Sequence, residues 1–479
     1  MQKNMFKKKD VESAAIEYRD FISIHAGNYK GGLKNCLNGD PNRDIRLSMS
    51  EQWLETLAKT RGPDLVKFTQ WNLLRIYPKT TRFDSYNYDP LVGSIYGAQM
   101  VAFNMQISPS SVIISDNEDQ IPVDIEVEKC DLFTGKWIKD PLGPIYTNGS
   151  CGIVVDGHQN CITNGRPDSG FLYWKWKPND CSLPRFDPLR FLQLMRNKSW
   201  AIIGDSIARN HVESLLCMLS IVEKPVEVYH DENYRSKRWH FPLYNFTISN
   251  IWSPFLVQAA IFEDSNGVSS AAVQLHLDKL DNTWTDLFPS LDYAIISSGE
   301  WFLKTAVYHE NATLVGCHGC PESSNMTDLG FDYAYNTSLR HVMDFIAKSK
   351  TKGMIFFRTS IPDHFEDGEW HNGGTCKKTE PVSEEEVEMK VLNKILRDVE
   401  IVQFERVVTE TGNLKLLDFA GMLLTRPDGH PGPYREFRPF DKDKNATVQN
   451  DCLHWCLPGP IDHLNDVILE IIVNGRTGK

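Results

Sequence analysis

Residues 199–222 read SWAIIGDSIARNHVESLLCMLSIV. The first six form a buried apolar strand, Gly204-Asp205-Ser206 is a small polar turn, and HVESLLCMLSIV carries apolar residues at helical spacing. Such a strand–turn–helix places the turn's side chains at the carboxyl end of a sheet, where α/β proteins build their sites. The rhythm continues downstream. LDYAIISSG, GMIFFRTS and LKLLDFAG read as strands, NTSLRHVMDFIAKSK and SEEEVEMKVLNKILRDVEIVQFERV as helices, and PIDHLNDVILEIIV closes the series. These segments predict an α/β fold, a parallel sheet with helices on both faces. Residues 107–190 are rich in Cys, Pro and aromatics without clear periodicity, and predict a disulfide-tied lobe packed on that sheet.

A serine hydroxyl is a poor nucleophile at neutral pH and needs a histidine base held by an acid. Asp451-Cys452-Leu453-His454 offers both, because three-residue spacing on a turn lets Asp451 accept the Nδ1–H of His454 and fix its tautomer. GDS and D-x-x-H each recur by chance. Their order, with D-x-x-H near the C-terminus after a GDS turn, makes Ser206, Asp451 and His454 the candidate catalytic residues. The bland alternative for Ser206 is a helix N-cap.

The chain has 479 residues, 41% apolar, 24% charged and 11% aromatic, which suits a folded protein of two to four domains. No apolar run is long enough to span a membrane, and the start MQKNMFKKKD lacks the apolar core of a secretory signal. The net charge of −12 disfavours a polyanion-binding role, and no nucleic-acid partner is expected. Splitting near Gln106 leaves 15 basic and 11 acidic residues before it, and 36 and 52 after it. Cys36 stands alone in the first part, whereas the ten cysteines from Cys130 to Cys456 all lie in the second. Ten is an even number and shows no paired zinc spacing, which points to disulfides. Sequons at Asn148, Asn197, Asn245, Asn311, Asn325, Asn336 and Asn445 are confined to the same part. Together these features predict a chimera whose second part was shaped in an oxidising, glycosylating lumen.

In the first part FISIHA, LLRIYP and QMVAFNM read as strands and SMSEQWLETLAKT as a helix. The stretch from NYKGGLKNC to GAQMVAFNMQ resembles the Y-box of plant phosphoinositide-specific phospholipase C, the second half of a TIM-like barrel. The resemblance implies headgroup contacts at Ser48, Arg75 and Tyr77. The family's catalytic histidines and calcium ligands belong mostly to an X-box that this chain does not contain, so phospholipase activity is not expected. Trp71, Tyr86 and Ser94 depart from the family pattern. Half a barrel leaves strand edges unpaired, which predicts aggregation unless something covers them.

In the second part CDLFTGKW, YTNGSC, HQNCITNGRPDSGFLYWKWKPNDCSLPRFDPLRFL, IIGDSIARNHVESLLC, SGEWF, FRTSIPDHFEDGEWHNGGTC, RPDGHPGPY and DCLHWCLPGPID occur in order. They resemble the plant trichome-birefringence-like proteins over about residues 128–473. That resemblance implies a Golgi polysaccharide O-acetyltransferase on an SGNH/PC-esterase fold, tethered by a signal anchor that is not found in this chain, so the product could be stranded in the cytosol. The domain expectation is a Y-box fragment at 1–106, a linker at 107–127, a Cys-rich lobe at 128–185 and a catalytic domain at 186–475.

The resemblance further implies that Ser206 is acetylated and then attacked by a sugar hydroxyl, with His454 as base and Asp451 as its orienter. Oxyanion donors would come from the Ser206 backbone N–H with Arg209, Asn210 or Gly299, beside Gly204 and Asp205. Glu300 follows Gly299 where the family pattern has histidine. No metal or bound cofactor is required, but an acetyl donor is, either acetyl-CoA or an acetylated carrier. The acceptor is a hemicellulose, with mannan or glucomannan favoured and xyloglucan next. A hydrolase would use the same triad with water as acceptor.

Trp174, Trp176 and Trp301 are candidates to stack on sugar. His364, His371 and His430 are structural or line the sugar groove. Arg426 and Asp428 read as a buried ion pair, and Cys317-His318-Gly319-Cys320 as a local disulfide or free thiols.

Overall fold

The computed structural model describes residues 24–26, 44–69, 73–77, 98, 100–101, 130–151, 157–263, 269–349 and 351–474. The chain divides into two compact units, 1–123 and 124–479. The expected linker at 107–127 lies outside the described residues.

The first unit holds β1 (Ile24–Ala26), β2 (Asp44–Ser50), α1 (Glu51–Thr69), β3 (Leu73–Tyr77) and β4 (Met100–Val101), with the strands parallel in that order. Ser48-Met49-Ser50, expected to open a helix, ends β2 instead. Leu47 and Met49 alternate inward to a core with Leu54, Leu57, Leu65, Phe68, Leu74 and Ile76, while Ser48 and Ser50 take the other face. The helix is kinked at Arg61, two residues before Pro63. Ser48 pairs with Arg75 and Ser50 with Tyr77, so the three expected headgroup positions share one face, on which Arg75 and Tyr77 are exposed.

The second unit adds β5 (Gly135–Lys139), β6 (Trp174–Pro178), α2 (Pro188–Leu194), β7 (Ser199–Gly204), α3 (Ser206–Leu219), β8 (Val226–His230), β9 (Lys237–Phe241), β10 (Phe246–Trp252), β11 (Val257–Ala260) and β12 (Val273–Leu280). There follow α4 (Asn282–Thr285), β13 (Tyr293–Ile296), β14 (Ala306–Glu310), β15 (Thr313–His318), α5 (Gly330–Lys348), β16 (Met354–Arg358), α6 (Val391–Val408), β17 (Leu414–Leu417), α7 (Ala420–Leu424) and α8 (His463–Asn474).

The main sheet runs β17-β16-β13-β7-β10-β9-β8. Its first five strands are parallel, and β9 and β8 extend it as an antiparallel hairpin. The chain leaves β7 toward β10 on one side and β13 on the other, so the GDS turn stands where the winding reverses, the place at which such sheets form crevices. Both faces are covered as expected. Trp200, Ile202, Ile295 and Phe356 point to a core with α3, α8 and the small lobe, while Ala201, Ile203, Ala294, Ile296 and Phe357 point to one with α5 and α6. Strands buried on both sides read as the continuous apolar run SWAIIG.

Two features were not read from sequence. The β8–β9 hairpin is short and polar. The second sheet, β11-β12-β14-β15, is mixed, and its strands carry half-polar alternation such as VQLHLDKL that gives a weaker signal. Among the described residues no helix is long and apolar enough to cross a membrane.

Five disulfides form among the described residues: Cys130–Cys181, Cys151–Cys217, Cys161–Cys456, Cys317–Cys320 and Cys376–Cys452. The first pair closes the small lobe, whose β5–β6 ladder buries Trp137 against Trp176. The second and third tie that lobe to α3 and to the segment after His454. Cross-linking removes more unfolded-state entropy as the closed loop lengthens. Cys161 and Cys456 are 295 residues apart, Cys317 and Cys320 only 3. Replacing the first pair by serine should therefore cost about 3–5 kcal/mol and the second at most about 1–2 kcal/mol, measured by chemical denaturation of the two double variants. Equal losses would show that loop closure is not what the long bridge contributes.

Candidate active site

Gly204 ends β7, and a Cβ there would run into the carbonyl oxygen of Ser297, so only glycine lets β7 pass that loop. Asp205 is the N-cap of α3. Its Oδ1 accepts the N–H of Ile207 at 2.9 Å and of Ala208 at 3.4 Å. With the cap supplied by Asp205, Ser206 is the first helical residue and half-exposed; the N-cap reading of the serine is thereby corrected. Burial pushes the Asp205 carboxyl above its ordinary range, partly offset by Arg358, by the two capping N–H groups and by His454.

Asp451 organises its own turn. Its Oδ1 takes the N–H of Leu453 at 3.1 Å and of His454 at 2.9 Å, and its Oδ2 takes Nδ1 of His454 at 2.9 Å. Burial raises the Asp451 carboxyl, but the charge and hydrogen bonds of His454 outweigh it and hold it well below the usual carboxylate range. With Nδ1 committed, His454 presents Nε2, which is buried and has no hydrogen-bond partner among the described residues. No hydrogen bond joins Ser206 Oγ to His454 in this structure; such bonds commonly tighten only when substrate is bound.

One side chain joins the two halves. Asn210 lies four residues after Ser206, one turn along the same face of α3. Its Oδ1 accepts the N–H of Trp455 at 2.8 Å and its Nδ2 donates to the Trp455 carbonyl at 3.2 Å. The amide oxygen and one amide N–H are thus committed to Trp455 and the side chain is fully buried, so Asn210 docks the D-x-x-H loop. Arg209 lies along the helix with Nε 3.9 Å from Glu213. Gly299 follows β13 and packs against Ser360, where a Cβ would sit 2.7 Å from that residue's own Cβ.

The expected sugar contacts separate. His430 is buried, with Nδ1 2.7 Å from the His454 carbonyl and Nε2 2.7 Å from Nδ1 of His364; Nε2 of His364 lies 2.8 Å from the Leu424 carbonyl. Trp455 packs beneath His430 at 4.2 Å, and burial lowers the pKa of both imidazoles. The pair supports the His454 loop and does not face a groove. Trp176 is also buried, its Nε1 bonded to the Leu132 carbonyl, so it packs the lobe. Trp174 and Trp301 are half-exposed, with the ammonium groups of Lys139 and Lys304 over their rings at 3.9 and 4.3 Å. His371 is exposed. Arg426 and Asp428 form a fully buried bidentate pair, at 2.7 and 3.0 Å.

Sequence reasoning missed a polar layer under the turn. Arg358, at the end of β16, donates to Ser297 Oγ at 2.7 Å and to Nδ1 of His211 at 3.1 Å, and the other nitrogen of His211 meets Oδ1 of Asn465 at 3.2 Å. Burial, with help from Arg358, lowers His211 to about 3 and keeps it neutral. Glu400 is buried with Ser360 N–H on both carboxyl oxygens and Tyr335 hydroxyl 2.5 Å from Oε1. Burial pushes Glu400 up to about 8. In its neutral form it donates to Tyr335, which in turn donates to the Ser298 carbonyl at 2.9 Å beside Gly299. Glu300, hydrogen-bonded to Asn393 at 2.7 Å, is likewise pushed up to about 8 by burial and by Asp363 and Asp205. The FRTS segment carried the only visible hint of this layer, a charged residue at the end of an apolar strand. Among the described residues no cluster of three or more metal-ligating side chains is present.

Three family models match the chain. Residues 183–471 match the GDSL/SGNH-like acyl-esterase family found in Pmr5 and Cas1p, 128–182 the PMR5 N-terminal domain, and 36–116 the Y domain of phosphatidylinositol-specific phospholipase C. Similar proteins include trichome birefringence-like 23 of Arabidopsis thaliana, 94% identical over 78% of this chain and 88% of the relative. Xyloglucan O-acetyltransferase 1 of Arabidopsis thaliana is 42% identical over 78% and 87%, and the enzyme of that name from Populus trichocarpa 44% over 73% and 83%.

Two outcomes follow from this geometry. Asn210→Ala strands the buried N–H and carbonyl of Trp455, at a cost of about 2–4 kcal/mol, read from urea denaturation; a loss below about 0.5 kcal/mol would mean the loop is held by other contacts. Glu400 has a folded pKa above its unfolded value, so its contribution is complete below about 4.3 and fades as pH rises toward 8. Glu400→Gln, which copies the neutral acid, should flatten the fall in melting temperature between pH 5 and 8 (window from the same shift); an unchanged slope would place the titration elsewhere.

Proposed function

The chain belongs to the GDSL/SGNH-like acyl-esterase family found in Pmr5 and Cas1p, and on that premise we propose that it moves an acetyl group onto a sugar hydroxyl of a plant hemicellulose. The carrying observation is an Asp451–His454 pair whose base nitrogen is unpartnered, docked by Asn210 onto the helix that begins with Ser206. His454 would take the Ser206 proton as the hydroxyl attacks the acetyl carbonyl of the donor. The proton passes to the donor's leaving group as the tetrahedral species collapses. A sugar hydroxyl then attacks acetyl-Ser206, yields its proton to His454, and leaves acetylated with the serine restored. The Ser206 N–H at the positive end of α3 and the Gly299 N–H are the oxyanion donors this reading assigns, with Arg209 beside them.

The donor is acetyl-CoA or an acetylated carrier. For the acceptor, HFPLYNFTISNIWSPFLV, LHLDKLDNTW and NDCLHWCLPGPID favour mannan or glucomannan, while the relatives whose names include an acceptor are xyloglucan O-acetyltransferases. The disulfides, and the exposed sequon residues Asn197, Asn245, Asn311, Asn325, Asn336 and Asn445, support an oxidising, glycosylating compartment, for which the Golgi lumen is the expectation. The face bearing Ser48, Arg75 and Tyr77 enters no step of this reaction.

The test uses the full chain made in an oxidising host, an acetyl donor, and manno-, xyloglucan and xylo-oligosaccharides, with mass spectrometry of glycan and protein. The expected result is acetyl gained by one oligosaccharide and by Ser206, with transfer reduced by at least about 10³-fold in Ser206→Ala. Removal of acetyl from pre-acetylated glycans without any transfer would make the protein an esterase instead.

A further inference from the structure

Of the expected sugar contacts, His364, His430 and Trp176 are buried, and the half-exposed rings of Trp174 and Trp301 carry the ammonium groups of Lys139 and Lys304. We propose that Trp370 is an aromatic platform for a ring of the acceptor chain, held in register with His454. The inference rests on the acetyl-transfer reading above.

Trp370 is 49% exposed, and no other tryptophan described in the second unit is comparably open. A lone exposed apolar side chain on a surface needs no explanation; the attachment of this one does. It sits at the tip of a hairpin closed by reciprocal backbone bonds between Glu366 and Thr375, at 2.7 and 2.8 Å, with Gly374 N–H on the Glu369 carbonyl at 2.9 Å. That hairpin is fastened to the catalytic loop at successive points. Gln449 Nε2 donates to the Trp370 carbonyl at 3.0 Å, Asn450 Nδ2 to the Gly374 carbonyl at 3.2 Å, and Cys376 is bridged to Cys452, between Asp451 and His454. His364 N–H also reaches the Cys452 carbonyl at 2.9 Å.

Gln449 and Asp451 are two positions apart, with only Asn450 between them, so the Trp370 carbonyl lies within roughly 15 Å of the Asp451 backbone, close enough for one bound oligosaccharide to reach both. The indole is presented to water by a rigid mount shared with the catalytic base. Apolar faces of sugar rings stack on such indoles, and the nearby Glu369–Lys390 pair, at 3.4 Å, offers hydrogen-bonding partners to ring hydroxyls.

The experiment compares Trp370→Ala and Trp370→Phe with the unmodified chain, using a disaccharide and a hexasaccharide of the accepted hemicellulose. Trp370→Ala should raise KM for the hexasaccharide about ten-fold with kcat within about two-fold, and raise KM for the disaccharide much less; Trp370→Phe should fall between. Retardation in polysaccharide-containing gels, run on Ser206→Ala and on Ser206→Ala/Trp370→Ala, reads binding without turnover and should be lost in the second. Unchanged KM and unchanged retardation would overturn the platform, and so would an equal rise in KM for both acceptor lengths. If the unmodified chain transfers no acetyl but retardation still depends on Trp370, the transfer reading fails and the platform stands.

Discussion

The site depends on one buried amide. Ser206 belongs to a helix packed on the sheet, His454 to an irregular loop some 250 residues later, and nothing in either element obliges them to meet. Asn210 supplies the obligation by engaging both the N–H and the carbonyl of Trp455, the residue after the base. Because the amide is on the same helical face as Ser206, any rotation of α3 carries nucleophile and base together. A substitute that keeps one bond leaves the other main-chain group buried without a partner, which is why a two-ended side chain suits the position.

Beneath that clamp the sheet carries an arrangement that keeps formal charge scarce. Arg358 is the buried cation under the turn, bonded to neutral His211 and Ser297, and its field opposes the burial that raises Asp205. Glu400 and Glu300, both pushed up to about 8, add hydrogen-bonding capacity without adding two full negative charges at neutral pH. On the acetyl-transfer reading, a developing oxyanion at the start of α3 would face the helix N-terminus, with fewer ionised carboxylates near it than the composition suggests.

The strand SWAIIG, the helix after it and the D-x-x-H pair were legible because each is a local pattern: an apolar run, a 3.6-residue period, an acid and a base three residues apart. The ten cysteines of the second part pointed to bridges but not to their partners, since pairing is set by a chain path that spacing does not encode. Asn210 was visible as a residue near the serine and expected among the oxyanion donors, but its docking role was not, because its partner is a backbone lying far away in sequence. For His364, His430 and Trp176 a linear string leaves supporting and groove roles both open, and only their burial marks them as supports, because burial is a property of the packed fold and not of any motif. Glu400 carried no signal at all in a helix of ordinary charged residues.

The bridges bear on the chemistry more directly than their number implies. Cys452 and Cys456 stand two residues before and two after His454, and they lead to different places, Cys376 on the Trp370 hairpin and Cys161 in the small lobe. The base is therefore pinned from both sides along the chain, while Asn210 pins it from below. A loop without regular secondary structure loses little energy when its backbone drifts by an ångström, but a proton transfer loses much. Covalent flanking fixes the path of this largely buried loop, while Nε2 of His454 stays without a hydrogen-bond partner among the described residues. Reduction would release both flanks at once, so the geometry of the site is conditional on the oxidation state of the two cysteines that frame its base.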